Sequence, residues 1–374
     1  METNKRLLSI DALRGADMLL IMGAAGVVTL FCKAMGWGTD CMLARQVTHV
    51  DWNGLHLQDT IFPLFLFLAG ASWPFSLAKQ RERGASVGAI RLRVVKRCLI
   101  LVLLGLLYNG LLNFKLAELV WGSVLGRIGI SWAVAAYMSI GLGVRTRVGI
   151  WFALMLGYWL ACIVFTAPDF PNAGNFSPEG NIGCWIDRMI MPGKLTVPKL
   201  YTNQGILGTV GGVGTAMLGV FAGEFLRSRV ATGAKKAGWL LAAAAGLLAM
   251  GLAIGLGFGK WSFPINKKMW SPSFVCVVGA YSTAMLALFH WVVDVKGWTR
   301  WTFFFRVIGM NSITIYLLNR VVGGAFGDVA RFFFGGVVAY LPAAWAAVAL
   351  AVAKMAVAWG ALYFLYRQKV FLRV

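Results

Sequence analysis

The chain has 374 residues, 59% of them hydrophobic and 13% charged, with a mean hydropathy of +0.73, a composition that excludes an ordinary soluble globular domain. A net charge of +21 and a pI near 10.2 would suit nucleic acid in a soluble protein. Here the basic residues fall mostly on one side of long apolar runs, which excludes nucleic acid and leaves the lipid bilayer as the partner.

The apolar runs are roughly 20 residues each, long enough to cross a hydrocarbon core of about 30 Å. They predict an all-α, polytopic bundle of about ten transmembrane helices, at 12–31, 57–78, 95–113, 119–142, 148–166, 206–226, 237–257, 272–293, 304–324 and 341–365. Alternation over about ten residues, the mark of a membrane β-barrel, is not evident. With both termini in the cytoplasm, the inner segments collect Lys5, Arg6, "KQRERGASVGAIRLRVVKR", "RTR", "RSRVATGAKK", "DVKGWTR", Arg306 and "YRQKVFLRV". With Arg14 these hold about 22 of the 35 Lys and Arg, in line with the excess of positive charge on cytoplasmic loops. The start "METNKRLLSIDALRG" lacks a clear small-residue cleavage site and reads as an uncleaved first helix, so that 1–374 is a single transmembrane domain.

In chain order, "SIDALRGADMLL" sets Asp11 and Arg14 three residues apart on one helix face at the inner edge. The pair either meets a ligand or fixes the helix's depth. "THVDWNGLHLQDTIFPLFLFLAG" then places His49, His56 and Asp59 within eleven residues of one another, just before an apolar run. A carboxylate can orient an imidazole that abstracts a proton or accepts an acyl group, and Asn53-Gly54 is a turn signal that lets His49 and Asp59 meet. The alternative is a polar loop that caps a helix. Arg91, Arg93, Lys96 and Arg97 in the next inner connection are phosphate-binding candidates or topology determinants.

Arg127 in "VLGRIGISW" lies within an apolar run, where it needs an anion or several acceptors. The outer segment 167–205, rich in Pro, Gly and Asn, predicts an ordered irregular loop. "GTVGGVGTAMLGVFAG" predicts close helix packing, since no Lys-Ser/Thr follows to complete a phosphate cradle. Further outer segments are expected at 32–56, 258–271 and 325–340. "SFPINKKMWS" presents Asn266, Lys267 and Lys268 outside, and "GMNSITIYLLNR" puts Asn311, Ser312 and Tyr316 at the start of a span. Their amides suit sugar hydroxyls or an acyl carbonyl, or serve as caps and interhelical bonds. His290, deep in the eighth span, reads as a helix-packing histidine. The six cysteines show no metal spacing, so no metal is expected. Cys32, Cys41 and Cys184 fall on or near the outer side, with no pair assignable.

Taken together in this order, "SIDALRG", "HVDWNGLHLQDTIFPLFLFLAG", "VLGRIGISW", "GCWIDRMIM", "TNQGILGTV", "GVFAG", "FPINKKMWSPSF", "VVDVKG" and "GMNSITIY" resemble the heparan-α-glucosaminide N-acetyltransferase family, especially its compact bacterial members, over about residues 7–322. The resemblance implies transfer of acetyl from cytosolic acetyl-CoA, across the membrane, to the amino group of a glucosamine-type sugar on the outer face. His49 stands at the family's histidine in H-x-x-W-N-G-L and Asp59 at its aspartate, whereas the position of His56 need not be histidine. Arg14, Asn53, Arg127, Asn266 and Asn311 also match motif positions. Where the family commonly reads Asp-Pro-Glu-Gly this chain has "TNQG", so Gln204 carries no charged role, and the large lumenal region of the animal member is absent.

The resulting expectation is an acetyl-CoA-dependent N-acetyltransferase of the cytoplasmic inner membrane, with no metal. His49 is the base and Asp59 its orienting partner. Asn53, Arg127, Asn266, Lys267, Asn311 and Ser312 are set against the sugar and the transferred carbonyl, and Asp11 and Arg14 beside the coenzyme; a homodimer completes the expectation. The alternatives are a membrane O-acyltransferase of surface glycans, or a solute transporter, for which buried charges are equally suited.

Overall fold

The computed structural model describes residues 7–257 and 259–372; Lys5, Arg6 and the last two residues of the basic tail lie outside them. Helix α1 (Leu8–Leu19) passes through a π-helical turn at Leu20–Ala24 into α2 (Ala25–Ala34). Short α3 (Met42–Gln46) precedes α4 (Leu57–Glu82), α5 (Val87–Tyr108), α6 (Val124–Gly141) and α7 (Val144–Val164). The long loop after α7 contains α8 (Ile182–Ile190), followed by α9 (Gly208–Arg227) and α10 (Gly233–Leu256). Then α11 (Pro272–Phe289) ends in a second π segment, His290–Val295, and α12 (Thr302–Met310), α13 (Ser312–Val321), α14 (Gly323–Val338) and α15 (Ala343–Arg367) complete the chain.

The protein is an all-helical polytopic membrane protein. Among the described residues eight helices are long and apolar enough to span a membrane, or nine if α13 and α14 form one broken span; the expected number was about ten. The difference has two sources. The third expected span is α5, a 22-residue helix that runs from the end where Arg93 meets Gln80 to the end where Asn109 donates to the Val120 and Gly122 carbonyls; it is left out of the eight by composition alone, because Arg91, Arg93, Lys96 and Arg97 lie in its first half. The ninth expected span is divided: α12 stops at Met310, α13 follows, and α14 bends away by 80°. The expected outer loop at 325–340 is therefore mostly helix, its Phe332 and Phe333 exposed on the outside of the bundle, where lipid would solvate them.

Helices α4 and α11 form the centre, each with 78% of its most apolar window buried, and α9 follows at 67%; α10 and α15 lie outside at 17%. Small residues set the central spacing. A Cβ at Gly219 would meet the Phe67 carbonyl oxygen at 2.0 Å, one at Gly223 that of Ala71 at 2.2 Å, and one at Gly70 that of Ala216 at 2.3 Å. Helix α9 thus rides directly on the α4 backbone, as its glycine-rich sequence predicts. Around this contact, Phe62, Trp73, Trp132, Trp270 and Phe274 fill the core, with Trp73 and Trp132 edge to face at 5.4 Å.

The antiparallel course gives the bundle two polar ends. At one, α4 begins and the 262–271 loop enters α11. At the other, α1 begins, where the Ser9 hydroxyl and backbone N–H donate to Asp294 at the end of α11. Arg147 of α7 pairs there with Glu224 of α9 at 2.9 Å.

Candidate active site

The first turn of α4 organises the site. Gly54 has φ +122°, a conformation that favours glycine, and this turn carries residues 49–53 back over the helix start. Gly54 N–H donates to the Ile265 carbonyl at 2.8 Å, and Asn266 Nδ2 donates to Asn53 Oδ1 at 3.0 Å. Asn266 Oδ1 accepts from Met269 N–H at 2.9 Å. These bonds tie the 49–56 loop to the 262–271 loop, which brings His49, Asp59 and Lys267 together.

The Asp59 carboxylate is 1% exposed. Its Oδ1 lies 2.7 Å from His49 Nδ1 and 3.1 Å from Lys267 Nζ, while Oδ2 accepts from the N–H groups of Val50 at 3.3 Å and His56 at 3.2 Å. A carboxylate only accepts, so the His49 contact requires the proton on Nδ1 and leaves Nε2 as the basic atom of the neutral ring. Lys267 Nζ, 3.2 Å from the same nitrogen, is held there by Asp59. Burial lowers the Lys267 ammonium below the usual lysine range, a shift that Asp59 partly offsets. The His49 side chain remains 52% exposed, whereas His56 caps α4 and turns its Nδ1 to the Thr48 carbonyl.

His49 and Lys267 line a chamber of about 320 Å³ with Gln58, Asn203, Gln204 and Lys268, over a floor of Ile61, Phe62 and Trp270. Beneath it lies a narrow apolar waist of about 40 Å³ that shares Ile21, Ile61, Phe62, Val124 and Tyr316 with the chamber. The waist in turn shares Phe65, Ile128, Ser312 and Ile313 with a cavity of about 200 Å³ near the opposite end, lined by Arg14 and Arg97. Arg14 pairs with Asp11 at 3.7 Å and donates to Ser72 Oγ at 2.9 Å. Arg97 lies over the Trp132 ring at 4.1 Å, its Nε enclosed without a hydrogen-bond partner among the described residues. Arg91 and Arg93 turn elsewhere, over Tyr137 and onto Gln80.

The long loop supports the chamber from the side. Arg188 grips Asp169 through two bonds of 2.7 and 2.8 Å and also donates to the Leu200 and Glu179 carbonyls; these bonds hold the Asp169 carboxyl below its usual range. Burial pushes Asp187 up to about 6, a rise only partly offset by the Ile206 N–H at 2.8 Å and by Arg127 and Arg188.

Of the residues singled out in the sequence, His49, Asp59, Lys267, Asn53 and Asn266 converge. Arg127 does not line the chamber: it is buried beside it, over Trp270 at 5.2 Å, and donates to the Gly205 carbonyl at 3.0 Å. Asn311, between α12 and α13, is buried and donates back to the Val307 carbonyl of α12, and Ser312 belongs to the waist. His290 is more than a packing residue, with Nδ1 3.0 Å from Asp294 and Nε2 without a partner among the described residues. All six cysteines are free; Cys32 and Cys41 are hydrogen-bonded neighbours, and Cys184 is buried in α8. Gln58 and Asn203 were missed. Their one sequence signal is an amide next to a recognised motif residue, Asp59 in one case and Gln204 in the other.

Comparison with known proteins accords with the motifs. The chain is 27% identical over 375 residues to the Homo sapiens protein named heparan-alpha-glucosaminide N-acetyltransferase, covering 86% of this chain and 54% of that one. It is 28% identical over 331 residues to the Mus musculus protein of the same name, covering 74% and 50%. The chain therefore spans about half the length of the curated relatives it matches. A family described as Domain of unknown function (DUF5009) matches residues 6–116.

Proposed function

We propose that the protein transfers an acetyl group from acetyl-CoA, bound from the cytoplasmic side of an inner membrane, to the amino group of a glucosamine-type sugar on the outer side. The observation that carries this reading is the series of three cavities running from Arg14 and Arg97 to His49. Two guanidiniums suit the phosphates of coenzyme A, an apolar waist suits its extended pantetheine arm, and the chamber leaves space for a sugar at the reactive end. The names of the relatives agree with acetyl transfer to the nitrogen of a glucosaminide.

His49 Nε2 takes a proton from the attacking amine while Asp59 stabilises the charge that the ring acquires. The nitrogen bonds to the acetyl carbon, the carbon–sulfur bond breaks, and the coenzyme A sulfur leaves as a thiolate that regains a proton. Lys267 stands where it can face the carbonyl oxygen as negative charge develops. Asn266 instead uses both ends of its amide to hold the loops together, which makes it a positioning residue.

The test uses purified protein in sealed vesicles, with coenzyme A release measured against glucosamine and a hydroxyl-only sugar. Release that requires the amino sugar, yields an N-acetyl product and disappears in His49→Ala supports the reading. A folded His49→Ala protein that binds acetyl-CoA and transfers at the parental rate overturns it. An O-acetyl product marks an O-acyltransferase, and sugar uptake without acetyl-CoA marks a transporter.

A further inference from the structure

We infer that Gln58 and Asn203 form the acceptor subsite of the His49 chamber, binding the hydroxyl and amino hydrogens of a small amino sugar. The inference rests on the acetyl-transfer reading for the identity of the two substrates, but the binding step it concerns is measurable without transfer. Both side chains line the chamber with His49, one from the first turn of α4 and the other from the segment before α9. Gln58 Oε1 and Asn203 Oδ1 are each enclosed and have no hydrogen-bond partner among the described residues. An enclosed amide oxygen without a donor is a standing loss of free energy, and nearly all such groups in folded proteins are paired. The terminal torsions of Gln and Asn are broad and roughly two-fold, so each amide can swing its oxygen or its nitrogen toward a ligand.

The chemistry of the two substrates decides which of them these amides serve. The acetyl and sulfur atoms of the donor carry no N–H or O–H; its nearest N–H is the pantetheine amide two carbons behind the sulfur, on the side of the waist. An amino sugar carries several, and its bound form must expel chamber water while replacing the bonds that water made. The charge on the wall points the same way. Lys267 and Lys268 line the chamber, no carboxylate is among the described residues that line it, and Asp59, beside Lys267, is committed to His49 and Lys267. Such a wall disfavours an ammonium and favours the free amine, the form that attacks. Neutral amides supply acceptors without a carboxylate that would hold the ammonium in its protonated state.

The experiment measures equilibrium binding of glucosamine to purified wild-type protein, Gln58→Met, Asn203→Leu and Gln58→Glu, followed through tryptophan fluorescence. Trp270 in the chamber floor provides the signal. Acetyl-CoA binding and thermal midpoint are measured in parallel, so that misfolding is visible. The expected result is that Gln58→Met and Asn203→Leu each weaken glucosamine binding about tenfold and raise its KM without lowering kcat, while acetyl-CoA affinity stays parental. Gln58→Glu, which keeps acceptor oxygens, retains affinity. Unchanged glucosamine affinity in both apolar variants overturns the subsite, as does a parallel fall in acetyl-CoA affinity, or a wild-type protein that binds no amino sugar. If the variants lose glucosamine binding and acetyl never reaches the sugar, the transfer reading falls and the subsite stands. Transfer at parental KM in both apolar variants has the reverse meaning.

Discussion

At the scale of single residues, the site depends on one carboxylate with four donors. Asp59 holds the imidazole, the ammonium and two backbone N–H groups at once, so its charge matters more than its shape. Asp59→Asn keeps the volume, removes the charge and lets the amide favour the wrong histidine tautomer; coenzyme A release against glucosamine should fall about 10²–10⁴-fold, with acetyl-CoA binding retained. Lys267 supplies a pH test. Because burial lowers its ammonium, the cation that faces Asp59 is lost at lower pH than for a free lysine. In that alkaline window the folded protein binds fewer protons than the unfolded chain, so by linkage this group's contribution to stability rises with pH even as the ion pair disappears. Activity should therefore fall on the alkaline side while the thermal midpoint does not fall with it. Lys267→Arg, which stays charged, should move the falling limb of the rate profile to higher pH. The His49–Asp59 partnership was legible in sequence because a turn signal lay between the two residues. Gln58 and Asn203 were not, because an amide's importance depends on whether the fold leaves it a partner.

At the scale of elements, the packing of α9 on α4 is set by main-chain contact at Gly219 and Gly223. A methyl group there meets a carbonyl oxygen held in its own helix, so neither side can yield locally. Gly219→Ala should cost about 1–3 kcal/mol as overpacking and lower the thermal midpoint in detergent. Gly246→Ala on α10, where a Cβ would meet nothing within 4 Å, should leave the midpoint unchanged or raise it, since Ala is the better helix former. The sequence conveyed this contact through glycine spacing, and it conveyed most helices through apolar length. It placed the start of α5 too late in the chain and missed the α13–α14 bend for one reason. A hydropathy window averages over about 20 residues, whereas the four basic residues that open α5 and the break after Val321 act within a few turns.

At the scale of the whole molecule, the path from Arg14 to His49 is assembled from α1, α4, α5, α6 and α13. No local spacing encodes it. Arg14, Arg97 and the Ser312–Tyr316 pair stood out in the sequence as polar residues of three separate spans, and only the packing of those spans gives them a common axis. The waist is the most informative place to test that axis, because its volume of about 40 Å³ is small and its lining is almost wholly apolar. Ile313 borders both the waist and the Arg14–Arg97 cavity and is only partly buried, so Ile313→Trp enlarges a side chain into the passage without opening a void. If acetyl reaches His49 by this route, Ile313→Trp should abolish coenzyme A release and weaken acetyl-CoA binding, while glucosamine binds as in the parent. Transfer at the parental rate in a folded Ile313→Trp protein would mean that the acetyl group reaches the chamber by another way. Loss of glucosamine binding as well would place the defect in the fold of the chamber, which the thermal midpoint checks independently.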